Sequence, residues 1–355
     1  MDAENLLWEH LSPMITRHED EHGRRFTEED GVTFPRDCIK IMRCRPFTFT
    51  QKVVNRWFDN RTILIGDAAH VFPPFGGQGI ACGVRDADGL AWRLALLSRI
   101  VSVNRGFSDR ILNAWARERR QGVDDSTKLT LQNGNLCNNE ETWAFFFARS
   151  VLSILQQIPF LSSITQMPVP TEANGYKATK EGFYLAEHGG GGKLAQIYVE
   201  KFSRDSHRPF APQLLSDEIL KQVPTLMVML VVGVYSAETE TQLKKILKDA
   251  SCPPSVLSEN SIIHFCPTWS EEALEAYANA MDASKPRPKI CFPTSVHALR
   301  PNSTRPGYDP AAFVARLGGP STRYVIIRPD NIIFALARDQ QQLADCLYGL
   351  QTWLS

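Results

Sequence analysis

One run, from Arg61 to Leu97, limits what this chain can fold into more than any other. Thr62-Ile63-Leu64-Ile65 reads as a short buried strand, rich in β-branched residues and stopping at Gly66. Asp67 then stands at the carboxyl end of that strand, where α/β folds place their ligands. Pro73-Pro74 stiffens the loop that follows. Gly76-Gly77-Gln78-Gly79 leads into a helix whose Ile80, Val84, Ala87, Ala91 and Leu94 share one face at helical spacing. Glycines at such a helix start let backbone approach a flat ligand closely. The first N–H groups and the positive end of the dipole stabilise negative charge there.

The order of these residues resembles the GDAAHxxPPxGGQGxxxGxxDAxxLAWxL signature of class A FAD-dependent aromatic monooxygenases, the p-hydroxybenzoate and phenol hydroxylase family. The resemblance implies FAD as cofactor. Asp67 would hydrogen-bond the ribityl chain, and Pro73 and Pro74 would shape the face beside the reactive flavin carbon. Gly76, Gly77, Gln78 and Gly79 would line the pyrimidine edge, with Gly66, Ile80 and Ala81 beside them. It also implies that NAD(P)H reduces the flavin and that O2 then supplies the oxygen atom placed on an electron-rich ring. No metal is needed for that chemistry. Two positions depart from the pattern: many relatives have Asn where Ala81 and Gly89 stand. Gly89 lowers helix stability by about 1 kcal/mol relative to alanine.

The resemblance continues on both sides. The segment from Arg45 to Phe58 is similar to the last strand of the substrate-binding sheet, and Leu112 to Arg120 matches an L-x-x-Y-x-x-E-R helix. Arg328-Pro329-Asp330 matches the RPD turn of phenol-hydroxylase-type members. The family opens with a βαβ unit carrying GxGxxG, which holds the FAD pyrophosphate at a helix N-terminus, and this sequence has no such unit. The expectation is therefore a chain that begins where a full-length relative is more than halfway through its catalytic region. Gly189 to Gly192 reads as a flexible turn and not as a substitute, because it follows no buried strand.

From about residue 175 the pattern changes. A strand at Thr225–Tyr235, a helix at Glu238–Asp249, a strand at Ser261–Phe265 and a helix at Glu271–Met281 come first. A hairpin of Arg323–Ile327 and Ile332–Ala337 and a helix at Gln340–Trp353 follow. That order, βαβα then ββα, is a thioredoxin-like arrangement, here without a CxxC motif for disulfide exchange. The fold expected is α/β: a partial FAD-binding region of p-hydroxybenzoate hydroxylase-like type, then a thioredoxin-like C-terminal domain. The divisions expected are 1–60, a remnant of the substrate-binding sheet, 61–172, the FAD-binding portion with its helices, and 173–355, a packing or homodimerisation module. Within the first, Leu6 to Thr16 reads as a short helix and Lys40 to Trp57 as extended chain.

Lysine plus arginine and aspartate plus glutamate both number 39, so no net field draws nucleic acid or an anionic membrane surface. The eight cysteines show no zinc-ligand spacing and suit free thiols in the reducing cytoplasm. Trp143–Ile164 is interrupted by Arg149 and Pro159, and Thr225–Tyr235 is short of the roughly 20 apolar residues a membrane helix takes. Several residues keep two readings. Asp67 is a ribityl ligand or a helix cap; His70 a base or, better, a packed histidine; Asp86 a ligand contact or a helix-internal hydrogen bond. Arg45 and Arg56 contact substrate or stay solvated, and Trp143, Phe145, Phe146 and Phe147 border a pocket or pack. Two functions remain: an aromatic hydroxylase, or a non-catalytic module with a partial flavin site.

Overall fold

The computed structural model describes residues 3–26, 31–45, 47–100, 104–138, 143–157, 174–176, 179, 181–201, 214–268, 289–294 and 310–355. The helix expected at Glu271–Met281 lies outside them. The chain forms two compact units, Met1–Thr50 and Gln51–Ser355. The first holds helix α1 (Ala3–Leu11) and a two-stranded ribbon of β1 (Thr16–Arg17) and β2 (Val32–Thr33). Thr16, expected to close the helix, instead pairs with Thr33 in that ribbon, because the chain turns through Ser12-Pro13-Met14 first.

The second unit begins with four short strands: β3 (Lys52–Val53), β4 (Phe58–Asp59), β5 (Thr62–Ile63) and β6 (His70–Val71). The first pairs with the fourth, and the middle two pair with each other. The stretch read as a buried strand is thus a short hairpin arm, half-buried at Ile63 and exposed at Ile65. Helices α2 (Gln78–Arg99) and α3 (Arg105–Asn138) follow, then α4 (Trp143–Gln157), on which Phe146 and Phe147 are exposed.

The α2 stripe of Ile80, Val84, Ala87, Ala91 and Leu94 faces outward, with Ile80 86% exposed. Its buried side carries Cys82, Asp86, Gly89, Leu90, Trp92, Arg93 and Leu96. Charged residues occupy this buried face because each finds an opposite charge across it: Asp86 meets Arg119, and Arg93 meets Glu118.

A seven-stranded sheet organises the remainder. Its elements are β7 (Tyr198–Lys201), β8 (Leu214–Leu215), α5 (Ser216–Leu220), β9 (Val228–Val232), α6 (Ala237–Asp249), β10 (Ile262–Phe265), β11 (Ile290–Pro293), α7 (Pro310–Arg316), β12 (Tyr324–Ile327), β13 (Ile333–Ala337) and α8 (Gln340–Leu354). The order is β13-β12-β9-β10-β11-β7-β8, with β9, β10 and β11 parallel and the other pairings antiparallel. Both faces of the sheet are covered, which explains the unbroken apolar run Val228–Val232. Met229 and Val231 join one core with Trp92, Leu96, Phe107 and Ile111 of α2 and α3. Val228, Leu230 and Val232 join the opposite core with Ile263, Phe265 and Phe313. The helices after the glycine run and the C-terminal sheet therefore share one interior.

Gly189 to Gly192, read as a flexible turn, is packed. Gly190 is buried, and a Cβ there would lie 2.2 Å from the Phe334 carbonyl oxygen. Gly191 donates its N–H to the Ile333 oxygen at 2.8 Å. Only glycine lets the two backbones come that close.

His264 sits on β10 beneath α6, 2% exposed, with its Nε2 lacking a hydrogen-bond partner. Glu240, which accepts from Tyr235 Oη at 2.6 Å and pairs with Lys244 at 2.7 Å, comes no nearer than 4.0 Å. Burial lowers the imidazole from 6.5 to about 4, with Glu240 opposing that shift and Lys244 adding to it. Folded His264 stays neutral where the unfolded histidine takes up a proton. Its contribution is complete above pH 6.5 and is lost as pH falls towards 4, up to about 3 kcal/mol. In urea unfolding at about pH 7 and about pH 4, His264→Gln should lose roughly 3 kcal/mol less than the parent chain. Equal losses would assign the acid sensitivity to other groups.

Candidate functional site

The residues singled out in the sequence come together where β5 meets α2. Gly66–Ala68 forms a tight turn, with Gly66 at φ +57 and the Ala69 N–H donating to the Gly66 oxygen at 2.8 Å. Helix α2 passes directly behind: a Cβ on Gly83 would stand 3.4 Å from the Gly66 Cα. One turn further along α2, the buried Asp86 carboxylate reaches the same place. It accepts from the Gly66 N–H at 2.9 Å, from Arg119 Nε at 2.7 Å, and pairs with His70 Nε2 at 2.7 Å. Burial alone would raise this carboxyl; the His70 and Arg119 contacts and the Gly66 amide together hold it below the ordinary carboxylate range. Asp86 is thus a tertiary clamp on the turn, not a helix-internal bond, and His70 is a buried partner of it.

Asp67 is placed differently. Its carboxylate is exposed and has no hydrogen-bond or ionic partner among the described residues, and it caps no helix, since Ile65 holds the N-cap position of its turn. Pro73 is half-buried and Pro74 exposed, and the loop closes through the Gly77 N–H donating to the Pro74 oxygen at 3.0 Å. Gly76 (φ +101) and Gly77 (φ +63) adopt backbone that favours glycine, and Gly77 starts α2 without a capping side chain. The amides of Gln78, Gly79 and Ile80, in the first helical turn, therefore lack intrahelical acceptors. A Cβ added at Gly77 or Gly79 would meet nothing within 4 Å. Gln78 folds back to donate from Nε2 to the Gly76 oxygen at 2.9 Å, Ala81 is half-buried, and Ile80 projects outward. The turn is an open ledge on one side, backed by α2 on the other.

Gly89 has a packing reason. A Cβ there would already be in van der Waals contact, 3.5 Å from the Trp115 ring and 3.6 Å from Arg93 Nη1, on the buried face of α2. Arg45 is exposed, and Arg56 forms an exposed pair with Asp59 at 3.5 Å.

The sequence reading passed over the roles of Glu118, Arg119, Arg93 and Tyr176. For Arg93, Glu118 and Arg119 the signal was present as charged residues on otherwise apolar helical faces; Tyr176 lies outside any helix and gave none. Among the described residues no cluster of His, Cys, Asp and Glu could hold a metal ion, and no helix is long and apolar enough to cross a membrane. An open groove of about 1070 Å3 lies between α6 and the loop after it, lined by Lys244, Lys248 and Cys252 among others. It shares no residue with the glycine turn.

Asp86→Ala would leave the buried Arg119 without an opposite charge, and the loss of stability should be about 3–5 kcal/mol in denaturant unfolding. A loss under about 1 kcal/mol would show that the clamp does not hold the turn.

Comparison with known proteins places these residues. The model of the FAD binding domain family matches residues 15–127. A 3-(3-hydroxy-phenyl)propionate/3-hydroxycinnamic acid hydroxylase of Burkholderia cenocepacia is 32% identical over 147 residues, which are 40% of this chain and 26% of that protein. The same-named protein of Klebsiella pneumoniae is 34% identical over 107 residues, 30% of this chain and 18% of its own. The match thus spans about a quarter or less of these relatives' lengths. Among solved structures, OxyS anhydrotetracycline hydroxylase from Streptomyces rimosus aligns with a TM-score of 0.48 at 17% identity, covering 84% of this chain and 46% of that one. Residues 15–127, the glycine turn included, thus match the FAD binding domain family, and this part of the chain is similar in sequence to FAD-dependent aromatic hydroxylases.

Proposed function

We propose that this chain serves an FAD-dependent, NAD(P)H-using monooxygenase that hydroxylates a phenolic or related aromatic compound. The observation that carries the reading is Asp67: an exposed carboxylate without a partner among the described residues, on a turn whose own amide is clamped from behind by Asp86. A folded protein gains little from such an arrangement by itself. It suits a ligand that brings hydroxyl groups, as a ribityl chain does.

The residues present fit a flavin. Gly77 and Gly79 leave room for a flat ring, and the uncapped start of α2 offers amide donors to its polar edge. Gly66, Asp67, Pro74, Gly76, Gly77, Gln78, Gly79, Ile80 and Ala81 would hold it, with Pro73 and Pro74 fixing the loop beside the ring. Bound FAD would supply the redox chemistry, accepting hydride from NAD(P)H and reacting with O2. The dipole of α2 would favour negative charge at its N-terminus. The Asp86 clamp keeps the Gly66 amide from turning away. The names of the Burkholderia and Klebsiella relatives, hydroxylases of phenolic propanoid acids, support a phenolic substrate class.

In this reading residues 61–172 furnish the FAD-binding portion, 1–60 a remnant of the substrate-binding sheet and 173–355 a thioredoxin-like, cytoplasmic packing module. The order β13-β12-β9-β10, with α6 joining parallel β9 to β10, supports the thioredoxin-like assignment.

The test is to incubate the purified chain with FAD, remove free flavin and record the visible spectrum. NAD(P)H oxidation and gain of one oxygen atom by a phenolic acid are then measured. Asp67→Ala should weaken FAD binding about tenfold, the worth of one charge-assisted hydrogen bond, with the unfolding midpoint unchanged. Equal FAD affinity in the variant and its parent would remove the assignment of Asp67.

A further inference from the structure

Glu118 and Arg119 are neighbours on α3, yet they engage two different parts of the molecule. Glu118 accepts from Arg328 Nη1 at 2.9 Å and Nη2 at 2.8 Å, from Arg93 Nη2 at 2.7 Å, and from the Phe183 N–H at 2.8 Å. Arg328 and Asp330 lie in the turn between β12 and β13, and Asp330 accepts from Trp92 Nε1 on α2 at 3.1 Å. Arg119 points the other way, donating from Nε to Asp86 and from Nη1 to Tyr176 Oη at 3.0 Å. The Tyr176 N–H donates to the Gly191 oxygen at 2.7 Å, and Gly191 in turn donates to Ile333 on β13. Two chains of hydrogen bonds therefore connect the β12–β13 hairpin to the Gly66 turn, one through Glu118 and its neighbour, the other through Tyr176.

Glu118, Arg93, Arg119 and Arg328 are each 1% exposed. Burial would raise the Glu118 carboxyl, but Arg328 and Arg93 outweigh it and hold it below the usual range. A carboxylate shared by two buried guanidiniums is directional in a way that apolar packing is not: sliding α3 along the hairpin would strand a charge in a dry interior. The register of α3 against the sheet is thus set by these bonds. Arg119, one residue on, carries that register to Asp86.

We propose that Glu118, Arg328 and Asp330 are positioning residues for the glycine turn: the hairpin fixes α3, and α3, through Arg119 and Asp86, fixes the Gly66 amide and with it the direction of Asp67. What this means for flavin rests on the function proposed above; the mechanical coupling does not. By reciprocity, a ligand held at the turn also steadies the hairpin.

Hydrogen–deuterium exchange on the full chain without flavin tests the coupling. Glu118→Gln and Arg328→Lys keep the side-chain bulk, and Asp330→Asn is the mildest change should either fail to fold. In each, the amides of Gly66–Ala69 should exchange about tenfold faster than in the parent, within the coupling that such networks carry. Ile263→Val, buried in the opposite core, should lower the unfolding midpoint and leave those amides unchanged. Parent-like exchange in the folded network variants, or equal acceleration in Ile263→Val, would overturn the proposal. A second arm reads FAD affinity, expected about tenfold weaker in Glu118→Gln. If the parent binds no FAD, the functional reading falls while the exchange result still decides the coupling.

Discussion

A carboxylate with no access to water governs the architecture around the glycine run. Asp86 can remain charged beneath the turn only because Arg119, His70 and the Gly66 amide converge on it. That requirement dictates much else. At Gly83 α2 runs against the turn, a Cβ there lying 3.4 Å from the Gly66 Cα, and α3 must present an arginine at one level of its length. The strands β3 to β6 need little core of their own: Trp57 and Ala69 lie against Leu90, Leu112 and Trp115 of the two helices. Local strand propensity contributes little to holding this region.

The division of labour between two aspartates follows from the same geometry. Asp67 and Asp86 stand on opposite sides of one turn, the first exposed and the second fully buried. Because Asp86 satisfies the backbone, Asp67 is free of any structural duty there. A site assembled in this way is stiff before a ligand arrives, which lowers the ordering cost of binding.

The glycine turn, α2, the C-terminal strands and the hairpin were legible in the sequence because each is a local pattern of period or punctuation. The orientation of α2 was not. Spacing identifies that Ile80, Val84 and Leu94 share a face, but not whether that face looks inward, and buried Asp86 and Arg93 reverse the usual assignment. Their partners are distant in sequence, 25 residues for Arg93 with Glu118 and 210 for Glu118 with Arg328, so no window reveals them. The strand expected at Thr62–Ile65 was misread for a related reason. Its apolar residues signal burial, yet the backbone pairs over two residues and leaves Ile65 exposed. The strands β7, β8 and β11 were missed because each is short, two to four residues, and held by neighbours instead of by its own pattern.

Gly189 to Gly192 looks like a place to cut or extend the chain, since glycine runs usually mark exposed tethers. Here the run threads beneath β13, with Gly190 against the Phe334 carbonyl and Gly191 hydrogen-bonded to Ile333. Gly189 is exposed, but Gly190 to Gly192 are buried, and a residue inserted among them would prise the closing hairpin off the sheet. Among segments that sequence alone would nominate for engineering, this is one of the least forgiving.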